Sequence, residues 1–322
     1  MRTLAVFLLA FLAAGQAAAQ CVGTNLIEQL SDADRAELTQ AIAEHPYPAG
    51  NFWQATRGGQ TVHVVGTVHI PDPRLDPIVQ TVTPALLQSE MLILEATASD
   101  QAALQRVMLE RPDIAFLTEG PTLIDLLGDE LWAKVADELN ARGVPPFMAA
   151  KFRPWLLGMT LAIPQCAMTA MTSGETGLDS RLEGIARDAG IAIEALDDPE
   201  GLLTLLSQGT LDEQIDMLRL TLAFEGDQGD AMATTLDSYF AGRHRELWEF
   251  SKITARDMEI GAVAFETFEK DLLDNRNAAW EPKIEAFVRN RDAMIAVGAA
   301  HLSGETGVLR ALERMGFALT RL

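Results

Sequence analysis

The chain of 322 residues carries 46 acidic against 25 basic side chains, a formal net charge of −21, and 48% of it is hydrophobic. Such a balance excludes nucleic acid and anionic membrane surfaces as partners, since both would repel it, and solubility is its plain explanation. Length and apolar content suffice for one large domain with its own core.

The chain opens as a secretory leader does: Met1-Arg2 is a short basic start, Leu4 to Ala14 is apolar, and Ala17-Ala18-Ala19 forms a small-residue cleavage site. A membrane span takes about 20 apolar residues, and this run is shorter. Acylation of Cys21 is the alternative, but it wants a small residue before the cysteine and Gln20 stands there. Cleavage after Ala19 is therefore expected, leaving residues 20–322 as one periplasmic or secreted domain with no stable membrane span. Cys21 and Cys166 are the only cysteines. In an oxidising compartment they are expected to form a disulfide, two independent thiols with Cys166 buried being the alternative.

In chain order, Ser31 to Glu44 reads as a helix capped by Ser31 or Asp32 and stopped by His45-Pro46-Tyr47-Pro48. Asn51 to Arg57 and Gln60 to Gly66 flank Gly58-Gly59 and read as a β-hairpin. A loop, Gly66 to Arg74, leads to a helix over Pro77 to Ser89 and then to the apolar strand Met91 to Leu94, ending at Glu95, which makes a βαβ unit. From about residue 99 to residue 290 the pattern is largely helical, with Lys151 to Ala162 broken at Pro154, a helix over Gly177 to Gly190 and one strand, Ile191 to Leu196. That stretch reads as an insertion or cap. The chain closes on the strand Ala293 to Val297, the loop Gly298-Ala299-Ala300-His301, a helix over Glu305 to Met315 and a strand from Phe317 to Leu322. The expected fold is α/β: a mostly parallel central sheet, βαβ units at both ends and a large helical insertion.

Two loops share one design. Gly66-Thr67-Val68-His69 and Gly298-Ala299-Ala300-His301 both follow apolar strands, and Glu95 likewise stands at a strand end. In open α/β sheets the carboxyl ends of parallel strands form the ligand crevice, so these three side chains are expected to converge. The glycines are expected to let the chain turn sharply off each strand. Two imidazoles and one carboxylate suit Zn, Mn, Co or Fe, with positions left for water and substrate. His63 reads as a sheet-face residue, and His45 and His244 as turn or helix-surface residues.

Gly66 to Arg74, Leu94 to Thr97 and Val297 to Val308 together resemble the TraB/GumN family, to which the Tiki-type metalloproteases are related. Lys151 to Trp155, Gly177 to Asp179 and Arg276-Asn277 look like its intermediate landmarks. The resemblance implies a divalent-metal peptidase-like site, with metal roles on His69, His301 and Glu95 and Mn, Co or Zn as the ion. It also implies architectural likeness to erythromycin esterases and a haem-binding lipoprotein group.

Such an ion would acidify a bound water and polarise a carbonyl while a carboxylate or imidazole takes the proton. Amide or ester hydrolysis of a peptide or small-molecule substrate is the simplest chemistry. Glu95 fits either ligand or general base. Arg276, Lys151 and Arg153 could stabilise a substrate carboxylate or oxyanion, ordinary helix ion pairs being the alternative. Asp179 reads as a possible helix cap after Gly177, and Glu90 as a helix-end residue or a second carboxylate. No His-Glu-x-x-His, Gly-x-Ser-x-Gly, phosphate-loop or Gly-x-Gly-x-x-Gly motif occurs. A non-catalytic haem- or metal-binding protein is the alternative function.

Overall fold

The computed structural model describes residues 23–172, 174–223, 228–256 and 261–322. The expected leader with its cleavage site, and Cys21, lie outside the described residues. Six strands form one sheet: β1 (Phe52–Arg57), β2 (Gln60–Thr67), β3 (Met91–Leu94), β4 (Ala192–Ala195), β5 (Ala293–Gly298) and β6 (Ala318–Arg321). Their spatial order is β4-β3-β5-β2-β1-β6.

The sheet is mixed, which corrects the expectation of a mostly parallel one. β2, β5, β3 and β4 run parallel, but β1 pairs antiparallel with both β2 and β6. The physical cause lies in the hairpin: Gly58 and Gly59 both take positive φ (56° and 88°), so β1 can turn straight back into β2. The closing strand β6 then lies along the free edge of β1. After the hairpin, β2, β3, β4, β5 and β6 all run in one direction, and each step between them is a helical crossover.

Alternation sorts the parallel strands into two cores. Met91, Ile93, Ile295 and Val297 pack on one face with Trp280, Ile284 and Val288. Leu92, Leu94, Met294 and Ala296 pack on the other with Leu75, Leu86, Leu178 and Leu182. Burial on both faces is why these strands read as continuous apolar runs. Helices Leu75–Gln88 and Leu178–Asp188 thus cover one side and helix Arg276–Phe287 covers the other.

The largely helical stretch contains the expected strand, β4, which joins the main sheet beside β3. Several of its helices build a separate core around Leu123, Val135, Leu139, Leu157 and Leu218, and Phe250 and Ile253 pack instead with Ile27 and Leu38. Pro154 does not break a helix but begins one, Pro154–Ala162, where its missing N–H is not needed. Among the described residues no helix is long and apolar enough to cross a membrane.

Cys166 lies on helix Gln165–Thr172. If it pairs with Cys21 as expected, peptide mass mapping of non-reduced exported protein should recover a Cys21–Cys166 crosslinked fragment. Reduction should then lower stability by about 4–5 kcal/mol, the chain-entropy value for so long a loop. Two alkylatable thiols before reduction would sink the idea.

Candidate functional site

The register brings the two Gly-x-x-His loops side by side. β2 and β5 are parallel neighbours with Gly66 opposite Val297 and Thr67 opposite Gly298. β3 flanks β5 on its other side, with Leu94 opposite Ala296. The carboxyl ends of β2, β5, β3 and β4 therefore share one edge of the sheet, and the polar residues that follow them surround one crevice.

The glycines do not act as expected. Neither Gly66 nor Gly298 has positive φ. Their reason is close approach instead: a Cβ on Gly66 would lie 2.8 Å from Leu302 Cδ1, and one on Gly298 would lie 2.9 Å from Glu95 Oε1. The missing side chain lets the strand end touch its neighbour.

Glu95 sits between donors. Its Oε1 accepts the Gly298 N–H at 2.5 Å and its Oε2 accepts from Arg276 Nη2 at 2.6 Å. Burial alone would raise its carboxyl, but His301, Arg276 and His69 nearby, with the Gly298 N–H, hold it down to about 2. It is a carboxylate at neutral pH.

His301 is buried among the same groups. Nδ1 lies 2.7 Å from Asn277 Oδ1, and Nε2 lies 3.0 Å from Arg276 Nη1 and 3.8 Å from Glu95 Oε1. Burial pushes its pKa down to about 4, against the pull of Glu95. Since a guanidinium can only donate, Nε2 must accept from Arg276 and Nδ1 must carry the proton toward Asn277. The Trp280 ring packs on this imidazole with centroids 4.4 Å apart.

His69 behaves differently. Its side chain is 63% exposed, and Nδ1 stands 3.0 Å from Asp179 Oδ1. The Asp179 carboxylate beside it raises its pKa above the ordinary histidine range. The approach is close but off the hydrogen-bonding direction, for Asp179 Oδ1 and the neighbouring Thr67 Oγ1 are buried without a hydrogen-bond partner. Exposure of the ring means the pair adds little to stability.

The chain holds this loop with its backbone. Leu178 N–H donates to Val68 O at 2.9 Å, and the Tyr239 hydroxyl donates to Gly66 O at 3.0 Å. A Cβ on Gly177 would fall 2.4 Å from the His69 carbonyl carbon and 2.5 Å from Val68 O. Gly177→Ala should therefore force the two loops apart and lower stability by about 1–3 kcal/mol, the usual cost of overpacking. Urea denaturation checks it, and an unchanged midpoint would mean that the contact yields freely.

Arg276 enters from helix Arg276–Phe287, directly after a π-helical segment, Lys270–Asn275. The widened turn resets which face the following residues present, a device common at functional sites. Besides Glu95 and His301, the guanidinium meets Asp197 (Nη2–Oδ2 2.6 Å) and lies 4.7 Å over the Trp280 ring.

Of the residues singled out from sequence, Glu95, Arg276 and His301 are in mutual contact, and His69 is near enough to shift the pKa of both Glu95 and His301. Asp179 is no helix cap; Gly177 holds that position. Lys151 and Arg153 sit elsewhere, their backbones bonded to Leu117 and Ala115 within the helical layer. Glu90 accepts only from the Asp292 N–H, a structural role. His63 lies on β2 as expected. His244 is not a surface residue but buried, with its ring nitrogens 3.2 Å from Asn51 Oδ1 and 3.1 Å from Tyr47 O.

Sequence reading passed over Asp197 and Trp280 and gave Asn277 no role of its own. Asp197 follows β4 much as Glu95 follows β3, so the rule that found one carboxylate could have found the other. Nothing local marks Asn277 or Trp280.

In kind, the donors suit a divalent ion. His301 has Nδ1 bonded to the Asn277 amide oxygen, which orients Nε2 as in metal-binding histidines, and the Glu95 carboxylate adjoins it. They are not assembled as a shell: among the described residues no three His, Cys, Asp or Glu side chains stand together so as to hold an ion. Arg276 occupies the ground between His301 and Glu95.

Fold and site together define an α/β protein whose polar centre is built from loops at the carboxyl ends of parallel strands. The profile of the TraB/PrgY/gumN family matches residues 51–321, most of the chain, and the chain belongs to that family. None of the curated proteins compared with it matches.

Proposed function

We propose that this protein is a hydrolase of amide or ester bonds, exported to the cell envelope, with His69, Glu95, Arg276 and His301 as its centre. The observation that supports it most is the contact of Arg276 with both Glu95 and His301, three side chains distant in sequence and enclosed at the strand ends. A structural ion pair has no use for a neutral imidazole beside it, whereas a hydrolytic centre can use one, because the Nε2 lone pair of His301 can take a proton or bind a metal.

A divalent ion such as Mn, Co or Zn would be held by His69, His301 and Glu95, and would supply an acidified water and a polarised carbonyl. Arg276 would then yield His301 Nε2 and Glu95 while keeping Asp197, leaving its charge beside the reacting carbonyl to stabilise a developing oxyanion. To serve as a ligand, His69 would have to release the proton that Asp179 favours, which makes metal binding at this site tighter as pH rises. Peptides or small esters are the substrates this chemistry suits.

The test is metal analysis of purified mature protein, followed by cleavage assays on a quenched-fluorescence peptide library and on p-nitrophenyl butyrate, with and without Mn, Co and Zn. Turnover that vanishes in the Glu95→Gln protein supports the reading. Tight metal or haem binding with no turnover on either substrate would replace it with a binding role.

A further inference from the structure

Arg276 would be of little use to this centre if it were free to choose among its partners. An arginine has several rotatable bonds, and here two carboxylates, an imidazole and a backbone carbonyl all lie within reach. What decides the orientation is the division of its edges. Nη2 is shared by Glu95 Oε2 and Asp197 Oδ2, both at 2.6 Å, and Nε faces Asp197 Oδ1 at 3.5 Å. Nη1 is left for His301 Nε2 and the Leu272 carbonyl.

Asp197 is itself fixed from several directions. Its Oδ1 accepts the Trp280 indole N–H at 2.7 Å, and its backbone N–H donates to Glu95 O at 2.8 Å, extending the β3–β4 pairing past both strands. Lys283 Nζ donates to the carbonyl of the preceding residue, Leu196. Asp198, next in the chain, caps helix Pro199–Ser207 through the Gly201 N–H at 2.8 Å. Arg276, Trp280 and Lys283 are spaced at i, i+4 and i+7, so one stripe of helix Arg276–Phe287 grips the end of β4. A surface ion pair would have no need of such anchoring.

We propose that Asp197 is a positioning residue: it takes the Nε and Nη2 edge of Arg276 and so aims Nη1 at the reacting group, with Trp280 holding the carboxylate in place. Charge matters as well as shape, since a carboxylate meeting the guanidinium fork fixes its plane, which a neutral amide does less well. The kinetic part of this claim rests on the hydrolase reading above. The geometric part does not.

The test uses the full mature protein and the substitutions Asp197→Asn and Asp197→Glu. Nitrogen-15 spectra report the geometry without any substrate: a guanidinium held on two sides shows resolved Nη signals, assigned here by their loss in Arg276→Lys. In Asp197→Asn these signals should average together, while the Trp280 indole signal persists because asparagine keeps an acceptor. With p-nitrophenyl butyrate, kcat should fall about ten- to hundredfold with KM changed less than threefold, and Asp197→Glu should recover part of the loss. Unchanged Arg276 Nη signals in Asp197→Asn would overturn the proposal, whatever the activity. Wild-type protein inactive on the ester and on the peptide library would overturn the hydrolase reading, and the Nη signals would still decide the role of Asp197.

Discussion

Replacing Arg276 by methionine should lower the unfolding free energy by about 3–5 kcal/mol, the usual cost of leaving buried charge without its partner. The reason is the company it keeps: side chains of Glu95 and Asp197 are only 12% and 10% exposed, and both accept from its Nη2. Methionine fills similar space, so the loss reflects charge more than a cavity. Arg276→Lys should recover part of it, because an ammonium supplies charge but not a fork able to serve two carboxylates and an imidazole at once. Adding Glu95→Gln to Arg276→Met should relieve part of the damage, giving a double variant less destabilised than the sum of the singles. Urea denaturation of the four proteins measures this. A single-variant loss below about 1 kcal/mol would show that water, rather than Arg276, satisfies these carboxylates.

The second large effect concerns the two histidines. His69→Ala and His301→Ala should each reduce turnover by about 10²- to 10⁴-fold, the range for removing a proton-transfer group. Their effects on stability should differ. His301 is buried, hydrogen-bonded to Asn277 and packed on Trp280, so its removal also leaves a cavity and an orphaned amide. His69 is mostly exposed, so its removal should shift stability by no more than about 0.5 kcal/mol. His63→Ala, on the sheet face, should leave turnover unchanged. Glu95→Gln distinguishes two roles: turnover lost with metal retained marks a base, and loss of both marks a ligand. Calorimetry with Mn or Zn on each protein supplies the metal side. Should His69→Ala bind metal as tightly as the wild type, His69 is no ligand.

Belonging to the TraB/PrgY/gumN family constrains the architecture of the chain more than its chemistry. The reaction has to be argued from the site itself, since one fold serves many activities. That site gathers a neutral imidazole, a carboxylate held well below its ordinary range and an arginine touching both at the edge where α/β sheets present ligands.

Several features were determined by the sequence alone, because their causes are local. The Gly58-Gly59 turn, the Ser31 cap, the doubly buried strands β3 and β5 and the repeated Gly-x-x-His loops each follow from backbone freedom, side-chain hydrogen bonding or periodicity within a few residues. What tertiary structure decided is which of these meet. That β6 returns beside β1, with two strands between it and β5, depends on pairing across most of the chain. That Gly298 is needed for the nearness of Glu95, and not for a turn, depends on a contact between neighbouring strands. Asn277 and Trp280 have nothing local to distinguish them, and they, like Asp179 and Asp197, acquire their partners only through the packing of helices on the sheet. A motif can be read where the residues that make it are neighbours in the chain; a charge network assembled across as many as 181 positions, as Glu95 and Arg276 are, exists only after folding has brought its members together.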